Sequence, residues 1–324
     1  MMRISFNTLF NPFFSLFFNN EDCRWLLLTL GIIPVLTFIP EARALNILTC
    51  EPEWKALAEQ IAPHSNVYSA TSALQDPHHI EARPGLIAKM RSADLAICSG
   101  AGLEVGWLPL LQMKSANARV QNGKDGMFYA AEQIDTIGKL KNVNPTMGDV
   151  HPEGNPHFHL DPYRLMTVAN ALAERMAKID PDHRESYRKN IEQFDEQWQR
   201  NIRKWEQEAT PLKGMQVVAY HTSFEYLFQW LGISMVGDLE PKPGLPPSSK
   251  HLSRLLNLAK NTRVDAVVYA SYQDKSGAEW LSKQIGVPAI KLPMSVNDNN
   301  KSQALTTLYD DLIDKLLKAI ESNG

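Results

Sequence analysis

Beyond residue 44 the chain alternates short apolar runs with stretches in which apolar residues recur every three or four positions. Asn46–Thr49 reads as a strand, and Pro52 to Ile61 places Trp54, Leu57, Ala58 and Ile61 on one helical face. Leu86 to Met90 predicts a short helix, followed by a strand over Asp94–Cys98 and a turn at Ser99 to Gly102. The rhythm returns later. Strands are expected at Gln216–Ala219, Ile233–Val236, Asp265–Ala270 and Ala289–Leu292. Helices are expected over Ser223 to Leu231, Ser248–Lys260, a segment opened by a Ser276/Glu279 capping box and closed by Gly286, and Ala304 to Ile320. Strands alternating with helices predict βαβ units and parallel sheets, hence an α/β fold with two lobes, each a parallel sheet flanked by helices.

A different pattern separates the halves. Leu165, Val168, Leu172, Met176 and Ile179 mark one helix. After Asp180-Pro181, Tyr187, Ile191, Phe194, Trp198, Ile202, Trp205 and Ala209 form a single apolar stripe. A helix from Asp182 to Ala209 would run about 40 Å, longer than a small domain is wide. It reads as a rigid spine joining two lobes. A coiled-coil interface fits less well, because the stripe is not sustained elsewhere. The expected organisation is therefore residues 45–162 as the first lobe, 163–210 as connecting helices including the spine, and 211–324 as the second lobe.

The first 44 residues stand apart. Trp25 to Ile39 is a run of 15 uncharged residues, short of the roughly 20 a membrane-spanning helix needs. Arg24 precedes it and Ala42-Arg43-Ala44 follows, which predicts a signal peptide cleaved after Ala44 and an exported protein. The Phe-rich stretch before Arg24, with Glu21 and Asp22, is long for that role.

Composition narrows the function. The net charge is −3, with no broad basic field, so nucleic-acid binding is not expected. Only Cys50 and Cys98 lie beyond residue 44. They end two apolar runs that neighbour each other if the strands are adjacent; a disulfide and two buried free thiols are both consistent with that.

All nine His lie beyond residue 44. His78 and His79 follow Asp76-Pro77, and His157 and His159 lie in Asn155-Pro156-His157-Phe158-His159, at the end of the Pro-rich loop from Asn142 to Pro162. His221 directly follows the strand VVAY, and Asp274 lies four residues past the strand VVYA. In parallel α/β sheets ligands gather beyond the carboxyl ends of strands, so His221 and Asp274 share a rim. Neutral imidazoles suit Zn²⁺, copper, nickel or iron, and three of them with one acid or water describe a tetrahedral zinc site. None of these spacings is a zinc motif alone. His64, His183 and His251 read as ordinary surface or hydrogen-bonded histidines.

Taken together the motifs resemble the periplasmic metal-binding proteins of zinc and manganese ABC importers, the zinc-uptake and TroA-like group. DPHHIEARP is similar to that family's Asp-Pro-His with a Pro six residues on; ADLAICSGAGLE, NPHFHLDP, YHTSFEYL and PGLPPSSKHL resemble its further motifs. The resemblance implies two α/β lobes on one long helix, with metal held between them by His78, His157 and His221. Ser271 stands where the family often has Glu, and the last strand, KLPMSV, lacks the acid of manganese-type members. Zn²⁺ is thus favoured over Mn²⁺. Asp274 is the first candidate for fourth ligand, with water, His79 and His159 as alternatives. His151 is a reduced remnant of the family's His-rich loop, with a plain loop role or transient capture of metal. The implied protein is a monomeric periplasmic binding component that delivers Zn²⁺ to an inner-membrane ABC permease. An exported three-His zinc hydrolase, with Glu240 or Asp274 as base, is the alternative, and a surface adhesin of the same fold a third.

Overall fold

The computed structural model describes residues 44–297 and 304–321. The expected signal peptide lies outside the described residues. No helix among the described residues is long and apolar enough to cross a membrane.

The first half carries β1 (Asn46–Thr49), α1 (Pro52–Ile61), β2 (Asn66–Ser69), α2 (Pro84–Ser92), β3 (Leu95–Cys98), α3 (Leu108–Ser115) and β4 (Met127–Tyr129). Two helices follow, α4 (Pro162–Ile179) and α5 (Arg184–Glu208). The second half carries β5 (Gln216–Ala219), α6 (Glu225–Leu231), β6 (Ser234–Asp238), α7 (Ser249–Ala259), β7 (Ala266–Ala270), α8 (Ser276–Ile285), β8 (Ala289–Leu292) and α9 (Ala304–Glu321).

Both sheets are parallel and wound in the same way, in the orders β2-β1-β3-β4 and β6-β5-β7-β8. In each, the chain runs outward from the first strand to one edge and then crosses to the other side. That reversal opens a crevice at the carboxyl ends of β1 and β3 in one sheet, and of β5 and β7 in the other. Cys50 and Cys98, just past β1 and at the end of β3, form a disulfide.

The spine is α5, preceded by a 3₁₀ turn at Pro181–His183. Its stripe of Tyr187, Ile191, Phe194, Trp198, Ile202 and Trp205 is buried as the periodicity predicts. Trp198 stacks on Phe194 with ring centroids 5.2 Å apart, and Trp205 on Tyr309 of α9 at 4.7 Å. The indole N–H groups are satisfied: Trp198 donates to the Pro162 carbonyl at 2.9 Å and Trp205 to Asp310 at 2.8 Å. Asn190 of α5 donates to the carbonyl of Ile61, the last residue of α1, at 2.9 Å. One continuous core therefore runs from β1 and β3 through α4 and α5 to β5, β7 and α9, with smaller clusters on the outer faces of the sheets.

The Ser276/Glu279 capping box is not formed. Asp274 accepts the Ser276 N–H at 2.7 Å and so caps α8 itself, while Glu279 pairs with Lys275 at 2.9 Å. The strands β2 and β4 and the helix α3 are elements the periodicity did not announce.

Since Trp205 is fully buried between the spine and α9, Trp205→Ala should destabilise the protein by about 3–5 kcal/mol, the usual cost of an aromatic-to-alanine cavity. Urea unfolding measures this; a loss below about 1 kcal/mol would show that the spine does not tie the halves into one core.

Candidate metal centre

His78 sits in the Asp76-Pro77-His78 turn. Its backbone N–H donates to Asp76 Oδ1 at 3.0 Å, and its ring Nδ1 lies 2.7 Å from the same oxygen. Trp107 pins the turn by donating to the Pro77 carbonyl at 2.9 Å. With Nδ1 committed, Nε2 carries the lone pair, and His151 Nε2 approaches it at 3.2 Å. Burial works to raise the Asp76 pKa, but the hydrogen bonds and charge of His78 outweigh it, and the carboxyl is held below its ordinary value.

His157 is set by the loop that leads into α4. Asp161 caps that helix by accepting from the N–H groups of Tyr163 and Arg164, with Pro162 at the first turn. The His157 N–H donates to Asn155 Oδ1 at 3.0 Å. Asn155 in turn donates to the Thr222 carbonyl at 2.9 Å, and its own carbonyl accepts from the Tyr226 hydroxyl at 2.9 Å. The segment bearing His157 is thereby tied to the turn after β5, which bears His221. His157 is 1% exposed, and neither ring nitrogen has a hydrogen-bond partner. Burial first, then the charges of His78, His221, His151 and His159, push its pKa well below the ordinary value, so the ring is neutral.

His221 follows β5 at the crevice of the second sheet. Its Nδ1 lies 2.9 Å from Glu240 Oε2, which also accepts the Gly244 N–H at 3.0 Å. Its Nε2 is buried without a partner. Burial alone would lower the His221 pKa, but the hydrogen bond to Glu240 and the charges of Glu240, Asp238 and Asp76 raise it.

The three rings converge. One nitrogen from each of His78, His157 and His221 lies within 4.8 Å of the others. Their centroids form a nearly equilateral triangle with sides of 5.8, 6.2 and 6.1 Å. No carboxylate belongs to that group. A nearby cleft of about 250 Å³ is lined by His78, His221, Asp76, Glu240 and Tyr272. A larger cavity of about 600 Å³ lies in the first half against Tyr129 and Glu104, carries no imidazole, and is not the site of this chemistry.

The other candidates are used elsewhere. Asp274, expected as fourth ligand, is exposed and caps α8; strand β7 ends toward the rim, but four residues further on the chain has already turned away into its next helix. His159 is buried, with Nε2 at 2.8 Å from the Met294 carbonyl and Nδ1 at 3.3 Å from Glu53, so it bolts the halves together instead of facing the triad. His79 is solvent-exposed, 3.7 Å from Asp149. His183 and His251 make ordinary hydrogen bonds to Asp180 and to the Asp238 carbonyl, both at 2.7 Å. The residue that the expected ligand set left out is His151, whose Nε2 lies 3.2 Å from His78 Nε2. Burial, then the charges of His78 and His221, lower its pKa to about 4. Its only sequence signal is a place in the Pro-rich loop. Asp76 and Glu240, which orient the rings, were legible only as a neighbour of the first His and as a candidate base.

Three likenesses accompany this geometry. The chain is 23% identical over 283 residues to the zinc-binding lipoprotein AdcA of Streptococcus pneumoniae serotype 4, covering 86% of this chain and 55% of that protein. It thus spans about half the length of that relative. It is 23% identical over 252 residues to the high-affinity zinc uptake system protein ZnuA of Bacillus subtilis, covering 76% of this chain and 77% of that one. A crystal structure of ZnuA superposes with a TM-score of 0.67 at 22% identity, over 85% of this chain and 100% of that chain, which shows a shared fold. Residues 47–323 match the profile of one family across both sheets and the spine, and the chain belongs to that family, described as "Zinc-uptake complex component A periplasmic".

Proposed function

We propose that this protein captures Zn²⁺ between its two halves, through His78, His157 and His221, and delivers it as a monomer to the membrane permease of an ABC importer. The lobes would be residues 45–162 and 211–324, with 163–210 as the connection. The observation that carries the reading is the convergence of three imidazole nitrogens within 4.8 Å from both halves of the chain. The relatives named as zinc-binding and zinc-uptake proteins support it, and export to the periplasm accords with the family's description. Imidazole donors suit zinc, nickel and copper, whereas Mn²⁺ prefers carboxylate and carbonyl oxygen, so Mn²⁺ is the weaker cargo. The hydrolase alternative lacks a base: Glu240 is spent on His221 and Gly244, and Asp274 on α8.

The shared core along α5 restricts the halves to small tilts. Capture is then a matter of ordering side chains and loops around the ion, with no wide hinge.

Purified protein should bind one Zn²⁺ in competition with a chelator. Single His78→Ala, His157→Ala and His221→Ala exchanges should each weaken it beyond the roughly 10–100-fold that loss of an outer-shell partner costs. If two of the three leave affinity intact, the ligand assignment is wrong.

The pH dependence has a defined sign. His157 and His151 have lowered pKa values and are already neutral near pH 7. His221, with its raised pKa, is the first of these rings to take up a proton as pH falls, and the metal must then displace it. Affinity should therefore fall as pH drops, by about tenfold per unit below the His221 pKa for one displaced proton. Glu240→Gln removes the partner that raises that pKa, so the acid-linked loss should begin at lower pH, while affinity at neutral pH falls by about 10–100-fold. A midpoint unmoved by the exchange would contradict the role given to Glu240.

A further inference from the structure

Residues 139–156 form a strap whose ends belong to the first half and whose middle lies on the second. At the base, Leu140 donates its N–H to the Pro152 carbonyl at 3.1 Å and Asn155 to the Ile137 carbonyl at 2.8 Å. In the middle, the Asp149 N–H donates to the Pro243 carbonyl at 3.0 Å, and Lys242 Nζ to the Thr146 carbonyl at 2.9 Å. The two backbones meet at glycines. A Cβ on Gly148, whose φ is +87°, would lie 2.2 Å from the Pro243 oxygen, and one on Gly244, φ +80°, would lie 2.1 Å from Asp149 Oδ2. Only residues without a side chain fit so close an approach. Two residues beyond Asp149, this docked strap holds His151 against His78 of the triad.

The geometry there has a chemical meaning. Zinc–imidazole bonds of about 2.0–2.1 Å in a tetrahedron place adjacent nitrogens about 3.3–3.4 Å apart. His151 Nε2 and His78 Nε2 are 3.2 Å apart, and Asp76 already occupies the other nitrogen of His78. The His151 ring centroid is 5.2 Å from that of His78 and 6.4 Å from that of His157, so the ring lies beside the triangle on its His78–His157 side. We propose that His151 is the fourth ligand of the ion held by His78, His157 and His221, and that its bond to the ion fastens the 139–156 strap across the cleft. This deepens the proposed function and rests on it. Four neutral imidazoles leave the ion's charge of +2 in place, and the carboxylates of Asp76 and Glu240, one bond behind the rings, balance it. No inner-sphere carboxylate is then needed, which removes the demand that Asp274 was expected to meet. An all-nitrogen shell also selects against Mn²⁺.

The test loads the full chain with Co²⁺ or Zn²⁺ in four forms: wild type, His151→Ala, His157→Ala and His79→Ala. Wild type should give a tetrahedral cobalt spectrum and an X-ray absorption first shell of four nitrogens. His151→Ala should still bind, with one oxygen replacing one nitrogen, a changed cobalt spectrum and zinc affinity about 10–100-fold weaker. Metal should slow amide exchange across 139–150 in wild type, and not in His151→Ala. His79→Ala, altered on an exposed ring of the same turn, should behave as wild type. If His151→Ala keeps the wild-type shell, spectrum and protection, His151 merely hydrogen-bonds to His78 and the inference is overturned. If His157→Ala also binds like wild type, or wild type takes no ion, the proposed function itself fails, an outcome distinct from the first.

Discussion

A buried imidazole with neither nitrogen hydrogen-bonded is costly, and the rest of the site is arranged around one. An unsatisfied buried polar group costs about 1–3 kcal/mol, and His157 keeps two such nitrogens at 1% exposure. Its neutral ring offers one lone pair that no protein group claims. His78 and His221 are prepared differently: each has a carboxylate on Nδ1, which fixes ring orientation and turns Nε2 toward the other rings. One ring is kept available by burial, and two by hydrogen bonding.

That arrangement survives only on a frame that does not relax. Free rings 6 Å apart would turn toward one another or toward water. Here His157 is locked through Asn155 to the turn that carries His221, and the two sheets share one core through the aromatic stack along α5. His159 adds a bolt between the halves through the Met294 carbonyl. The strap meets the second half through backbone and lysine hydrogen bonds and exposes most of its residues, the kind of segment that opens at low free-energy cost.

Much of this was legible in the chain. The spine announced itself through its 3–4 spacing, and the helix over Arg184–Glu208 buries the stripe so read. The inner strands of the two sheets, β1, β3, β5 and β7, are short apolar runs and were found. Those missed are edge strands: β2 has no buried residue and β4 has three residues, so neighbours specify them more than their own pattern does. Within the His doublets the motif resemblance picked His78 and His157, the rings that lie with His221, whereas periodicity could not choose, because in irregular loops no repeat assigns a face. The acid at position 274 illustrates the limit. The rim was rightly located, yet a carboxylate two residues before a helix is also the group that caps it, and local capping won. His151 was hidden for the opposite reason: its position depends on a strap docked through glycines 148 and 244, a contact between segments about a hundred residues apart.

The most direct test is the stability of His157→Leu with and without zinc. Replacing an unsatisfied buried ring by an apolar side chain should leave the metal-free protein as stable as wild type or more so. Zinc at a thousand times its dissociation constant should stabilise wild type by about 4 kcal/mol and leave His157→Leu unmoved. A variant that loses stability without metal, yet gains as much from zinc as wild type does, would mean that His157 serves the core and that the ion is held elsewhere.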